Sequence, residues 1–143
     1  MSTKENKELT QEYGKELSEV TGDLTRTRAR ADKYLGDDYV YHTPSGDWSR
    51  ERTIQILGAE PAFPDVKYTR VDAVAEGDKV AMRYTMEGTH KGPLMGILPT
   101  GKHFAISGVT MTRIKAGKVA EEWDFPDLLG LMTQLGLIPA PKK

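Results

Sequence analysis

The sequence predicts an α+β domain in which a curved antiparallel sheet wraps around N-terminal helices and is closed by a C-terminal helix. Three observations predict it. Apolar residues recur at helical spacing through the N-terminal part of the chain. From Val66 onward the pattern changes to the alternation of half-buried strands. Finally, Val119 to Phe125 reads as a last strand that Pro126 ends, and it runs straight into an apolar series over Leu128, Leu129, Leu131, Met132 and Leu135. A sheet curled in this way encloses a conical pocket.

The elements follow in order. Leu9, Tyr13, Leu17, Val20 and Leu24 form the inner stripe of an amphipathic helix from about Glu5, with Gly22-Asp23 as its point of interruption. A second short helix over Thr25 to Leu35 turns Leu24, Arg28, Ala31 and Leu35 to one side, and its three arginines are expected on a solvated face. Asp38 to Thr43 is a strand with Val40 and His42 on one face, followed by turn residues Pro44 to Asp47. Ser49 is placed to cap a third helix carrying Ile54, Ile56 and Leu57, which Gly58 and Pro61 close.

Val66 to Ala75 and Lys79 to His90 pair across the turn Glu76-Gly77-Asp78, with Val80, Met82, Tyr84 and Met86 on one face. The Gly/Pro-rich connection Lys91 to Lys102 holds four apolar side chains; it is either a flap over something apolar or a long hairpin loop packed on its own strands. His103 to Ile114 follows, apolar on both sides, so helices are expected on one face and a partner subunit on the other. Gly117 supplies the positive φ for the last hairpin, and Gly136 with Pro139 ends the last helix.

Composition narrows the function classes. At 143 residues the chain reads as a single domain, 1–143, with short loose ends at 1–5 and 139–143. Twenty basic against twenty-one acidic residues, with no basic block, give none of the footprint of a nucleic-acid binder. No apolar run is long enough to span a bilayer and no apolar signal region opens the chain, so a cytoplasmic protein is expected. The absence of cysteine excludes disulfides and thiolate chemistry. The three histidines are far apart, with no metal-type spacing.

Chemistry concentrates at Glu121-Glu122-Trp123-Asp124-Phe125-Pro126-Asp127. Asp124 is placed either to cap the last helix or, at the mouth of an apolar pocket, to act as a general base; Asp127 sits where a helix dipole favours a carboxylate. If Asp124 points inward, alternation turns Glu122 inward and Trp123 outward.

Several segments resemble the SnoaL-like polyketide cyclase family of the nuclear transport factor 2-like superfamily. They are Ala62-Phe63-Pro64-Asp65, Gly88-Thr89-His90-Lys91-Gly92, Gly96 to Lys102, and Glu121-Glu122-Trp123-Asp124 running into Leu128-Leu129-Gly130-Leu131 and Gln134-Leu135-Gly136. The resemblance implies a cone-shaped barrel, dimeric or tetrameric through its sheet. It also implies a cofactor- and metal-independent enzyme of antibiotic-type secondary metabolism that closes a ring of an apolar polyketide by aldol chemistry. The family's catalytic aspartate falls on Asp124. Tyr13, His42, His90, Thr110 and Trp123 become candidate donors to substrate, with Glu122 and Asp127 as further carboxylates at the site. Aldol-type members carry a histidine fourteen residues before the aspartate, where this chain has Thr110. Other chemistries of the same scaffold are isomerisation, hydroxylation and epoxide hydrolysis, the last wanting Arg83 or Arg113 turned inward. A non-catalytic binding module is the remaining alternative.

Overall fold

The computed structural model describes residues 1–139; the rest of the expected loose end at 139–143 lies outside the described residues. Five helices and six strands follow one another as α1 (Thr3–Lys15), α2 (Leu17–Val20), α3 (Leu24–Tyr34), β1 (Leu35–Thr43), β2 (Gly46–Ser49), α4 (Arg50–Gly58), β3 (Lys67–Glu76), β4 (Lys79–Thr89), β5 (His103–Lys115), β6 (Lys118–Pro126) and α5 (Leu128–Gln134). The N-terminal end is fixed early: Ser2 and Glu5 form a reciprocal capping box, so helix begins at Thr3 within the segment expected to be loose. The first helical stretch breaks at Glu16 as well as at Gly22-Asp23, where Asp23 caps α3.

The six strands form one curved sheet in the order β2-β1-β6-β5-β4-β3. β3 to β6 are an antiparallel meander, but β1 lies parallel to β6, so the sheet is mixed, and β2 and β3 are its open edges. The expected antiparallel barrel is corrected on both counts. Crossing back from β1 through α4 and the meander delivers β6 beside β1 in the same direction, a connection that no local pattern in either strand records. Strand β2, hidden in what reads as turn chemistry after Thr43, pairs with β1 as a short hairpin.

Helices α1, α3 and α4 cover one face of the sheet through a core of Tyr13, Ala31, Tyr34, Leu35, Tyr39, Ile54, Ile114 and Val119. Phe104, Ile106, Leu131 and Leu135 make a second core where α5 folds against β5. Leu94 of the 91–102 connection packs on this second core, while Met95 and Leu98 are exposed, so the connection covers α5's core. Backbone N–H groups of Lys91 and Gly92 both donate to Ala62 O, and a Cβ at Gly92 would fall 2.1 Å from Pro61 O. Only glycine permits that approach without backbone movement.

Strand β6 carries a register shift that matters for the site. Arg113 pairs with Glu121 and Ile114 with Val119, leaving Ala120 as an extra residue. This bulge lets Val119 and Glu122, an odd number of residues apart, both be buried. The hairpin before it turns on Ala116 and Gly117, both at positive φ, as a two-residue hairpin of matching twist requires. Among the described residues no helix is long and apolar enough to cross a membrane.

Ile54 is 1% exposed at the junction of α4 and the sheet. Ile54→Ala is expected to lower the unfolding free energy by about 2–5 kcal/mol in a urea titration.

Candidate active site

Between the inner face of the sheet and α1, α3 and α4 lies a cavity of about 500 Å³, lined on its apolar side by Trp48, Ile56, Leu57, Tyr68, Met82 and Met86. Strand β6 supplies its two carboxylates. Asp124 and Glu122 stand two residues apart and therefore on one face, opposite Thr110 and Thr112 of β5.

Asp124 is held by three hydroxyl groups. Tyr41 donates to Oδ2 at 2.8 Å, Tyr84 to Oδ1 at 2.8 Å and Thr110 to Oδ1 at 3.3 Å. Burial and the facing carboxylate push the Tyr41 and Tyr84 phenols far above their ordinary range, so they remain donors. Tyr84 reaches Asp124 because its neighbour across the ladder is Gly108, where a Cβ would stand 2.4 Å from the phenol oxygen. Tyr68 packs edge-on against Tyr84 and lines the same wall. Burial pushes its phenol up to about 12, and its hydroxyl makes no hydrogen bond with the described residues.

Glu122 forms the floor and is buried. Its Oε1 accepts from Tyr13 at 2.6 Å and Tyr39 at 2.8 Å. Burial raises this carboxyl above its ordinary value of 4.5, against the opposing pull of the two phenols and of Arg30. Both carboxylates thus sit in nests of phenols, one at the floor and one on the wall. Such a pair suits proton transfer to and from a carbon acid, with hydroxyl donors nearby for developing negative charge on oxygen.

Of the residues singled out in the sequence, Tyr13, Thr110, Glu122 and Asp124 line the cavity. The others stand elsewhere. His42 lies on the opposite face of the sheet, stacked on Trp123 at 5.2 Å, with Nδ1 2.7 Å from Asp47 and Nε2 against Glu121. The hydrogen bonds to Glu121 and Asp47 raise its pKa. His90 is fully buried under Phe63, its Nδ1 accepting from the Thr100 backbone N–H at 3.2 Å. Asp127, not Asp124, caps α5, taking the Gly130 N–H at 2.8 Å. Gly130 leaves room for that cap, since a Cβ there would collide with the Asp127 carboxylate.

Side chains that the sequence reading passed over are Tyr39, Tyr41, Tyr68, Tyr84, Arg30 and Arg70. Tyr84 already stood on the correct face of its strand, and Tyr39 and Tyr41 stood on the face opposite Val40 and His42. For Arg30 the face assignment is corrected. Helix α3 turns Thr27, Arg30, Ala31 and Tyr34 inward, and Arg28 outward to pair with Glu51. Arg83 and Arg113 both point away from the cavity, paired with Asp72 and Glu121. Among the described residues no three His, Asp or Glu side chains gather as a metal site.

Comparison with known proteins bears on the family and the fold. The model of the SnoaL-like polyketide cyclase family matches residues 18–135. Aklanonic acid methyl ester cyclase DnrD of Streptomyces peucetius is 27% identical over 105 residues, covering 73% of this chain and 72% of the relative. Aklanonic acid methyl ester cyclase DauD of Streptomyces sp. (strain C5) is 37% identical over 105 residues, 73% of this chain and 65% of the relative, just under two thirds of its length. Among solved structures, AclR of Streptomyces galilaeus, a candidate hydroxylase, matches with a TM-score of 0.81 and 29% identity over 99% of this chain and 87% of that one. IdmH of Streptomyces antibioticus, a candidate polyketide cyclase, matches at 0.73 with 27% identity over 92% and 98%.

Two outcomes test the site's construction. Gly108→Ala is expected to displace the Tyr84 hydroxyl from Asp124, visible in a crystal structure of the variant as a broken hydrogen bond. Because burial raises Glu122 in the folded state, the folded protein takes up this proton at higher pH than the unfolded chain. The group's contribution to stability therefore falls as pH rises from about 4.5 to the folded value and is level above it. Urea titrations across that window are expected to show Glu122→Gln gaining relative to the native chain as pH rises; a difference independent of pH would contradict the assignment.

Proposed function

This chain belongs to the SnoaL-like polyketide cyclase family, and from that premise we propose that it is a polyketide cyclase that uses Asp124 as acid/base for an intramolecular aldol closure. The observation that carries the proposal is the Asp124 carboxylate on the cavity wall, fixed by Tyr41, Tyr84 and Thr110 rather than spent on a helix cap. The named cyclase relatives act on methyl esters of polyketide acids, and the apolar wall of Trp48, Tyr68, Met82 and Met86 suits a flat polycyclic substrate.

In the reaction proposed, Asp124 takes a proton from a carbon flanked by carbonyl groups, and the electron pair of that C–H bond passes to an enolate oxygen. The carbon then attacks a second carbonyl of the same molecule. One C–C bond forms, the carbonyl π pair moves to oxygen, and the proton returns from Asp124 to that alkoxide. The product is an isomer of the substrate. The Tyr68 hydroxyl, without a partner among the described residues, is a donor for the enolate oxygen, and Glu122, biased toward its neutral form by burial, is a second proton source.

Thr110 occupies the position where aldol-type members carry a histidine, and its hydroxyl orients Asp124 but cannot relay a proton near neutrality. No histidine lines the cavity. That observation, with the likeness to AclR, favours hydroxylation as the second reading. Product mass separates the two. Incubated with aklanonic acid methyl ester or the corresponding free acid, the protein is expected to give a product of unchanged mass, and Asp124→Asn to lower kcat by about 10²–10⁴-fold with the fold intact. A product heavier by one oxygen atom would establish the second reading instead, and turnover unaffected by Asp124→Asn would remove Asp124 from the mechanism.

A further inference from the structure

The cavity holds more positive charge than its carboxylates require. Arg30, on α3, is 5% exposed and lines the cavity, yet forms no ion pair among the described residues. Its Nε and Nη2 both donate to the backbone oxygen of Tyr13, at 3.2 and 2.6 Å, and its guanidinium lies 3.9 Å over the Tyr13 ring. These contacts fix the group and satisfy a carbonyl at the C-terminal end of α1, where a cation is favoured. They leave Nη1 donating to no described residue, and Nη1 is not sealed off among the buried atoms that lack a partner.

Arg70, half-buried on β3, repeats the arrangement. It lines the cavity, its Nη1 donates to Lys7 O at 3.0 Å, and it too lacks a carboxylate partner among the described residues. Lys15 adds a third cation at the rim. Against these three stand Asp124 and Glu122, and burial biases Glu122 toward its neutral form. Buried guanidinium groups are ordinarily paired, because an unpaired charge in a low-dielectric site is costly. Holding the buried Arg30 by a backbone carbonyl and the Tyr13 ring, with the half-buried Arg70 held by a second carbonyl, preorganises a planar donor set for an anionic oxygen pair beside the apolar cavity.

We propose that Arg30, supported by Arg70, is a specificity residue that selects substrates bearing a free carboxylate on the polycyclic body, rather than the methyl esters named for the relatives. The inference rests on the cavity being the substrate site, as in the function proposed above. Guanidinium and carboxylate meet as a charge-assisted pair, whereas an ester offers only a neutral acceptor. The carboxylate end anchors at the α1–α3 side, and the ring carbons are carried toward Asp124 on the sheet.

The test uses anthraquinone-2-carboxylate, its methyl ester and its carboxamide, titrated at neutral pH and followed by quenching of Trp48, which lines the cavity. The native protein is expected to bind the carboxylate about tenfold or more tightly than either neutral probe, and Arg30→Gln to bring the carboxylate down to the ester's affinity while leaving the ester unchanged. Equal or tighter binding of the ester, or a preference that survives Arg30→Gln, overturns the inference. If Arg30→Gln does not fold, the native protein alone decides. The carboxamide matches the carboxylate in shape without its charge, and equal affinity for the two removes charge recognition. Turnover of a methyl ester together with ester-preferring binding would overturn this inference and leave the proposed function standing. Failure of all three probes to bind would remove the cavity as the site and both proposals with it.

Discussion

The buried Glu122 carboxylate joins the parts of this molecule that would otherwise be independent. Its two phenol donors come from α1 and β1, while Glu122 itself belongs to β6, so a single side chain ties the helical layer to two sheet strands distant in sequence. A buried carboxyl group is tolerated only when its oxygens are satisfied, and here removing either phenol would leave Oε1 with one donor instead of two. The arrangement therefore fixes how far α1 stands from the sheet. That separation sets the height of the cavity, and Asp124, two residues further along the same strand, inherits its position from it.

Around this floor the polar groups divide by role. Phenols whose ionisation burial suppresses serve as fixed donors, and the carboxylates are the groups left to exchange protons. The cations come from α3 and β3 and donate to main-chain oxygens, Arg30 lying over the Tyr13 ring as well. A ligand entering such a cavity meets phenol donors from several elements, carboxylates from β6 and cations from α3 and β3. Binding and chemistry can then be altered separately, consistent with a scaffold whose relatives carry different activity names.

What the sequence made legible follows from periodicity. The strands of the meander announce themselves by alternation, Ser49 and Gly58 bracket α4 as caps and breakers should, and the carboxylate pair stands beside a strand end that Pro126 marks. Tyr84 sat on the inward face of β4 from the outset. The parts that were not legible depend on long-range geometry. Whether Tyr41 or His42 faces the cavity is decided by the parallel pairing of β1 with β6, which local spacing does not encode. Arg30 reads as one more surface arginine until α1 is laid across it and offers the Tyr13 carbonyl and ring. Asp124 and Asp127 were separable only once the start of α5 was fixed, since either spacing suits a cap.

The extra residue at Ala120 has a consequence for how such a site can change over time. Substitutions along β6 alter one side chain and leave the rest facing as they did. Loss of Ala120 itself would restore strict alternation from Val119 onward and leave Glu122 and Asp124 on the inner face, whereas drawing Ala120 into the ladder without losing a residue would carry both to the outer face and bring Glu121 and Trp123 toward the cavity in their place. The protein's chemistry is thus written in the parity of a short stretch as much as in its letters, and a lineage can dispense with the extra residue but cannot pair it into the ladder and keep its carboxylates on the cavity.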